Sequence, residues 1–178
     1  MGTGKIYSIG HGGLTGVALN EHLRRAGVQF LIDVRSVPYS RHQPEFGREL
    51  LQHSLDSTVK YVFMGALLGG RPDDDSCYTN GRVDYTKTRT KDFFKRGIDR
   101  LRSAHEQGFA ICMLCSEAQP SQCHRAKMIG QTLADEGIEV LHILPDGRIR
   151  SQPDVMRELT GGQGALFAEA QLSRKTYR

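Results

Sequence analysis

The stretch LCSEAQPSQCHRAKM (114–128) sets two cysteines, a glutamate, a histidine and an arginine within the eleven residues from Cys115 to Arg125. Such a set can hold a metal, expose a reactive thiol or bind an anion, and each chemistry makes its own demand on spacing. Structural zinc needs four ligands converging tetrahedrally. Cys112 and Cys115 share one apolar run, FAICMLC, and the strand period of two sends their side chains to opposite faces. Cys123 and His124, read as neighbours in a first helical turn, diverge by about 100°. The spacing therefore argues against a metal site, and no cofactor is expected. The Cys-headed anion loop that ends in an arginine is also absent, because Pro120 and Ser121 stand where that arginine would follow Cys115. Cys123 is the better candidate for a reactive thiol. It stands near an expected helix N-terminus with Ser121 as N-cap, and both the helix end and Arg125 lower a thiol pKa. A packed, inert cysteine is the competing reading.

The elements that must position these groups follow from periodicity. Short apolar runs alternate with amphipathic stretches, the pattern of βα units around a parallel sheet. IYSIG (6–10), FLIDV (30–34), KYVFMGALLGG (60–70), FAICMLC (109–115) and EVLHIL (139–144) read as strands. Helices are expected at LTGVALNEHLRRAG, at PEFGRELLQHSL, at 91–108 and from about Gln122 to Glu136. The stretch Arg71 to Thr90 reads as a long polar loop, PDVMREL as a short helix, GGQG as a flexible break and the tail ending SRKTYR as a fraying end. The fold class is a single three-layer α/β domain with a mostly parallel sheet of about five strands, spanning residues 1–150, followed by a short C-terminal helix and tail at 151–178.

Ligands of open parallel sheets sit outside the carboxyl ends of the strands. The residues there are Gly10 and His11, Arg35 to Arg41, Gly69 to Arg71, and Cys115 to Glu117. His11, Asp33, Arg35, Arg41, Arg71, Glu117, His124 and Arg125 thus fall at strand ends or in a first helical turn. Several guanidiniums on one rim suit a phosphate or carboxylate, because the arginine fork matches two oxygens at once. GHGGLTG resembles a dinucleotide turn, but Thr15 occupies the position that needs a packing glycine, so the match is incomplete.

The chain has 178 residues, net charge +4 and 38% apolar residues. That is enough for one core without disulfides or metals. No apolar run approaches the roughly 18 residues of a membrane span. No export signal is read at the start, and the four cysteines at irregular positions are expected as free thiols in the cytoplasm. Arg82 to Arg102 carries eight Lys/Arg against three Asp, with Tyr85, Phe93 and Phe94 among them. Nucleic acid is therefore an alternative partner to an anionic small molecule.

IGHGG, LIDVRSVPYSRHQPEF (31–46), YVFMGALLGGRP (61–72), VDYTKTRTKDFFKRGIDRL (83–101) and LCSEAQPSQCHRAKMIGQTLADEGIEVLHI (114–143) occur in order along the chain. Together they resemble the family called domain of unknown function 488. The resemblance implies importance for Gly10, His11, Asp33, Arg35, Pro38, Ser40, Arg41, Phe46, Leu68, Gly69, Gly70, Arg71, Cys115, Glu117, Cys123, His124 and Arg125, and implies no particular reaction. Where that family has a residue such as serine after Gly-His, this chain has Gly12-Gly13.

The expectation is an enzyme on a phosphorylated or nucleotide-like anion. Arg35, Arg41 and Arg125 would hold the anion, with Gly10, Asp33, Ser40, Gly69, Gly70 and Arg71 completing the binding set. His11, Glu117 and His124 would handle protons, and Cys115 or Cys123 would supply a thiol. A nucleic-acid module on the basic face and a zinc-binding protein are the alternatives.

Overall fold

A computed structural model describes residues 3–161 and 171–178. In chain order the elements are β1 (Ile6–Gly10), α1 (Gly16–Arg25), β2 (Phe30–Asp33), α2 (Arg48–Ser54), β3 (Lys60–Phe63), α3 (Gly65–Leu68), β4 (Tyr78–Thr79), β5 (Arg82–Asp84), α4 (Tyr85–Arg89), α5 (Asp92–Glu106) and β6 (Ile111–Cys115). After β6 come α6 (Gln131–Asp135), β7 (Val140–Ile143), β8 (Ile149–Ser151), α7 (Gln152–Thr160) and β9 (Leu172–Thr176). Continuous apolar runs make the central strands, and β1 and β6 are buried at every position, as strands covered on both faces must be.

The main sheet has the order β3-β2-β6-β1-β7-β8. Its first five strands are parallel and β8 returns antiparallel. Alternate side chains feed two separate cores. Ile6, Ile32, Ile111, Met113, Cys115 and Val140 pack with α5, α6 and the turn before α6, whereas Tyr7, Ile9, Leu31, Cys112, Leu114 and Ile143 pack with α1 and α2. The result is a three-layer α/β domain. Cys112 and Cys115 do lie on opposite faces. Thr15 caps α1, its Oγ accepting from the Ala18 N–H at 3.2 Å. No helix among the described residues is long and apolar enough to cross a membrane.

Several expectations need correction. The third strand stops at Phe63: the Met64 N–H still extends the ladder to the Asp33 carbonyl, but the Met64 carbonyl accepts from Leu67 and Leu68 and starts α3. The region 71–90 is not a plain loop but contributes β4, β5 and α4. The tail does not fray either: β9 pairs antiparallel with β5, giving a second sheet of order β4-β5-β9. That pairing joins segments far apart in the chain, so local periodicity carries no sign of it. The break at 162–164 lies outside the described residues.

The helix expected from Gln122 is divided into three parts. Pro120–Gln122 is a 3-10 turn, Cys123 is extended at φ −124° and ψ 147°, and Arg125–Gly130 is a π-helix that runs into α6. Cys123, not Ser121, stands at the junction.

Candidate functional site

β2, β6 and β1 are neighbours at the centre of the main sheet. Their carboxyl ends deliver Asp33–Arg35, Cys115–Glu117 and Gly10–His11 to one edge. Outside that edge lies a pocket of about 260 Å³. Its floor is Cys115, Cys123 and His124, and its walls include Arg35, Ser36, Gly70, Arg71 and Glu117. Arg174, Lys175 and Tyr177, from β9 and the residue after it, close the remaining side. The tail strand therefore builds part of the site, which residue-by-residue reading of the chain did not foresee.

The floor is ordered by a carbonyl. His124 Nε2 lies 3.0 Å from the Val34 carbonyl oxygen, which can only accept, so Nε2 carries the proton and Nδ1 is left with its lone pair. That lone pair faces sulfur on both sides: Cys115 Sγ is 3.7 Å and Cys123 Sγ 3.6 Å from Nδ1. The expected divergence of Cys123 from His124 does not occur, because Cys123 is extended and the helical period does not govern it. Gly70 packs on the imidazole, where a Cβ would come within 2.7 Å of Nδ1. Burial raises the Cys123 thiol, but the neighbouring Cys115 thiol, the Arg125 charge and His124 outweigh it and hold its pKa well below the ordinary value. Cys115 moves the opposite way, raised by its bond to Cys123 and by burial. The Arg125 N–H also donates to Cys123 Sγ at 3.5 Å. Cys112 is fully buried on the other face, and burial pushes its thiol up.

Asp33 and Arg35 form a buried bidentate pair: Nη2 donates to Oδ2 at 2.6 Å and Nε to Oδ1 at 2.9 Å. Tyr61 donates its hydroxyl to the same carboxylate at 2.6 Å. On its other side, Arg35 Nη1 reaches His11 Nε2 at 3.4 Å, leaving His11 Nδ1–H to donate to Gln43 Oε1 at 3.1 Å. His11 stacks on Phe46, with ring centroids 4.5 Å apart, and burial lowers its pKa. His11 is a neutral residue behind Arg35 and does not line the pocket. Its place in the chain Gln43–His11–Arg35–Asp33–Tyr61 is that of a positioning residue.

Arg125 is not among the residues that line the pocket. It is fully buried, and its guanidinium donates to the Glu117 carbonyl at 2.6 Å, the Ala118 carbonyl at 3.1 Å and Ser8 Oγ at 3.2 Å. Its side chain shapes the loop after β6, and its backbone N–H reaches the floor at Cys123 Sγ. Ser8 Oγ lies 2.6 Å from His142 Nδ1, and His142 Nε2 lies 2.7 Å from Gln152 Oε1. Because Gln152 Nε2 donates to the Ala126 carbonyl at 3.0 Å, its Oε1 accepts from His142 Nε2–H and the whole chain is satisfied.

The other expected residues divide between packing and surface. Gly10 allows the loop to approach, since a Cβ there would lie 1.8 Å from the Glu117 carbonyl oxygen. Gly69 donates to the Gly65 carbonyl at 2.9 Å, and Ser40 Oγ accepts from the Gln43 N–H at 3.1 Å. Arg41 is exposed on the loop after β2, outside the pocket lining. Arg71 does reach the pocket, with its guanidinium 5.5 Å from the Tyr177 ring centroid. Glu117 faces Arg174 and Lys175, each at 3.6 Å.

The basic face at 82–102 is largely occupied with internal partners. Lys91 pairs with Asp74 at 2.9 Å, Arg102 with Asp99 and Glu136 at 2.6 and 2.8 Å, and Arg89 with Asp135 at 3.5 Å. Lys87 donates to Thr79 Oγ1 at 2.8 Å.

Residues 17–131 match one protein family, described as Domain of unknown function DUF488. No curated protein and no solved structure matches the chain.

Proposed function

The chain belongs to the DUF488 family, and from that premise we propose that it is an enzyme acting on a small phosphorylated or nucleotide-like anion. The observation that carries the proposal is the composition of the pocket. Arg35, Arg71, Arg174 and Lys175 face a concave volume whose floor is two thiols and an imidazole, and among the described residues Glu117 on the wall and Asp33 behind Arg35 offset them. Cations around a recess concentrate anions, and the planar forks of the arginines favour phosphate oxygens. A neighbouring recess of about 460 Å³ shares Ser36, Val37, Arg71 and Tyr177 with the first and adds Phe63 and Tyr78. Aromatic walls beside an anion subsite suit the sugar or base of a nucleotide.

The roles follow from position. Arg71, Arg174 and Lys175 bind the anion, and Arg35, locked by Asp33, presents a fixed edge to it. Glu117, on the pocket wall and 3.6 Å from Arg174 and Lys175, is the group assigned to proton transfer. The Cys115, Cys123 and His124 floor faces the reacting end of the substrate.

Isothermal titration with inorganic phosphate, nucleoside monophosphates and sugar phosphates tests this reading. Binding by at least one of these anions that falls on Arg174→Ala, with turnover but not binding lost on Glu117→Gln, supports it. Absence of binding across the whole panel overturns it.

A further inference from the structure

The floor of the pocket has the shape of a metal site. We propose that Cys115, Cys123 and His124 bind one divalent transition-metal ion of the zinc class, leaving a fourth coordination position open to the pocket.

Distances carry the argument. With Zn–S near 2.3 Å and Zn–N near 2.05 Å, tetrahedral angles put a thiolate sulfur and an imidazole nitrogen about 3.6 Å apart. The two sulfurs stand 3.7 and 3.6 Å from His124 Nδ1, and all three candidate atoms lie within 4.8 Å of one another. The two sulfur–nitrogen edges are thus near their coordinated lengths.

The second observation concerns the ring. A ligating histidine commonly donates its other N–H to a carboxylate or backbone carbonyl, which fixes the tautomer and aims the lone pair. His124 does this through Nε2 and the Val34 carbonyl at 3.0 Å. The ring is further held by Gly70, which leaves no room for a side chain against it, and the Arg125 N–H points at Cys123 Sγ. Each donor comes from a different position on the fold: Cys115 ends β6, Cys123 is the extended residue, and His124 opens the following helix.

The donor set also selects the metal. Two thiolates and one imidazole suit a borderline-soft ion, and three protein ligands with one open position form a catalytic arrangement, whereas structural zinc sites are closed by four. The open side faces Arg71, Glu117, Arg174 and Lys175, where a water or a substrate oxygen completes the shell. This deepens the proposed function by giving the floor a Lewis acid. The site itself stands on the ligand geometry and not on the identity of the substrate.

The test is titration of the reduced, chelator-treated full chain with Co²⁺, followed by displacement with Zn²⁺. One Co²⁺ per chain, with thiolate-to-metal charge transfer in the near ultraviolet and the intense visible bands of tetrahedral cobalt, is the expected result. Cys115→Ser and Cys123→Ser each weaken the charge-transfer band, His124→Asn shifts the visible bands, and Cys112→Ala changes neither. The wild-type spectrum decides the matter even where a floor variant fails to fold: absence of a thiolate–cobalt band in the wild-type protein overturns the site, as does an undiminished band in a folded Cys115→Ser/Cys123→Ser variant. Failure of the pocket reading is distinguishable. Arg71→Ala/Arg174→Ala keeps the cobalt spectrum whatever its effect on anion binding, and loss of metal in that variant counts against the site.

Discussion

His124 donates from Nε2 to the Val34 carbonyl at 3.0 Å, and this one bond orients Nδ1 toward two sulfurs that come from different elements. A backbone acceptor cannot reverse its role, so the tautomer is fixed by the carbonyl just after β2. Nitrogen-15 spectra of the metal-free protein are expected to show His124 protonated at Nε2 and bare at Nδ1. A ring protonated at Nδ1 would contradict the arrangement of the floor.

Asp33 is fully buried and accepts from Arg35 twice through the side chain, from the Arg35 N–H at 3.1 Å and from Tyr61. Removing one charge of a buried pair leaves the other uncompensated, at a cost of about 3 to 5 kcal/mol. Asp33→Asn is therefore expected to lower unfolding free energy by that amount in denaturant titrations and to weaken anion binding through the displaced Arg35. A change within ordinary surface variation would refute the load assigned to this pair.

Arg125 gives the same kind of prediction for a different reason. Its guanidinium satisfies two carbonyls and a hydroxyl in the interior, and truncation strands those acceptors beside a cavity. Arg125→Ala is expected to cost about 3 to 5 kcal/mol, and the loop at 116–118 is expected to gain hydrogen exchange. Retained stability with lost anion binding would return Arg125 to the pocket.

Burial holds His142 neutral and lowers its pKa from 6.5 to about 4. Between these values the unfolded chain binds more protons than the folded one, so stability falls as pH decreases. The loss begins near pH 6.5 and continues to about pH 4, and the shift corresponds to about 3 kcal/mol from this residue. Denaturant midpoints across that window, in the wild-type protein and in His142→Asn, measure it: the variant is expected to show the shallower slope, and equal slopes would exclude His142 as the source.

The fold was legible where local signals sufficed. The apolar runs located the five parallel strands, and their alternation put Cys112 and Cys115 on opposite faces, where Cys112 packs with Leu114 in one core and Cys115 with Met113 in the other. The tail was not legible, because β9 is defined by its pairing with β5, Thr176 lying opposite Arg82. With it went Arg174, Lys175 and Tyr177, which read as part of a fraying end. Cys123 and His124 were read in one helical turn, whereas Cys123 is extended and the helix opens at His124. Arg125 carries no sign of burial in its type, since arginines are mostly solvated. His142 and Gln152 passed unnoticed because a histidine inside a strand reads as one more core position.

The measurement closest to the central claim is calorimetric titration of phosphate and nucleoside monophosphates into the wild-type protein and into Arg71→Ala and Arg174→Ala, with a short oligonucleotide as comparison. Micromolar to millimolar binding of the small anions, weakened about tenfold (~1.4 kcal/mol) in each variant and reduced by salt, is the predicted result. Small anions that do not bind, or that bind equally well to both variants, would contradict it, and binding of the oligonucleotide alone would move the function from the pocket to the outer basic face.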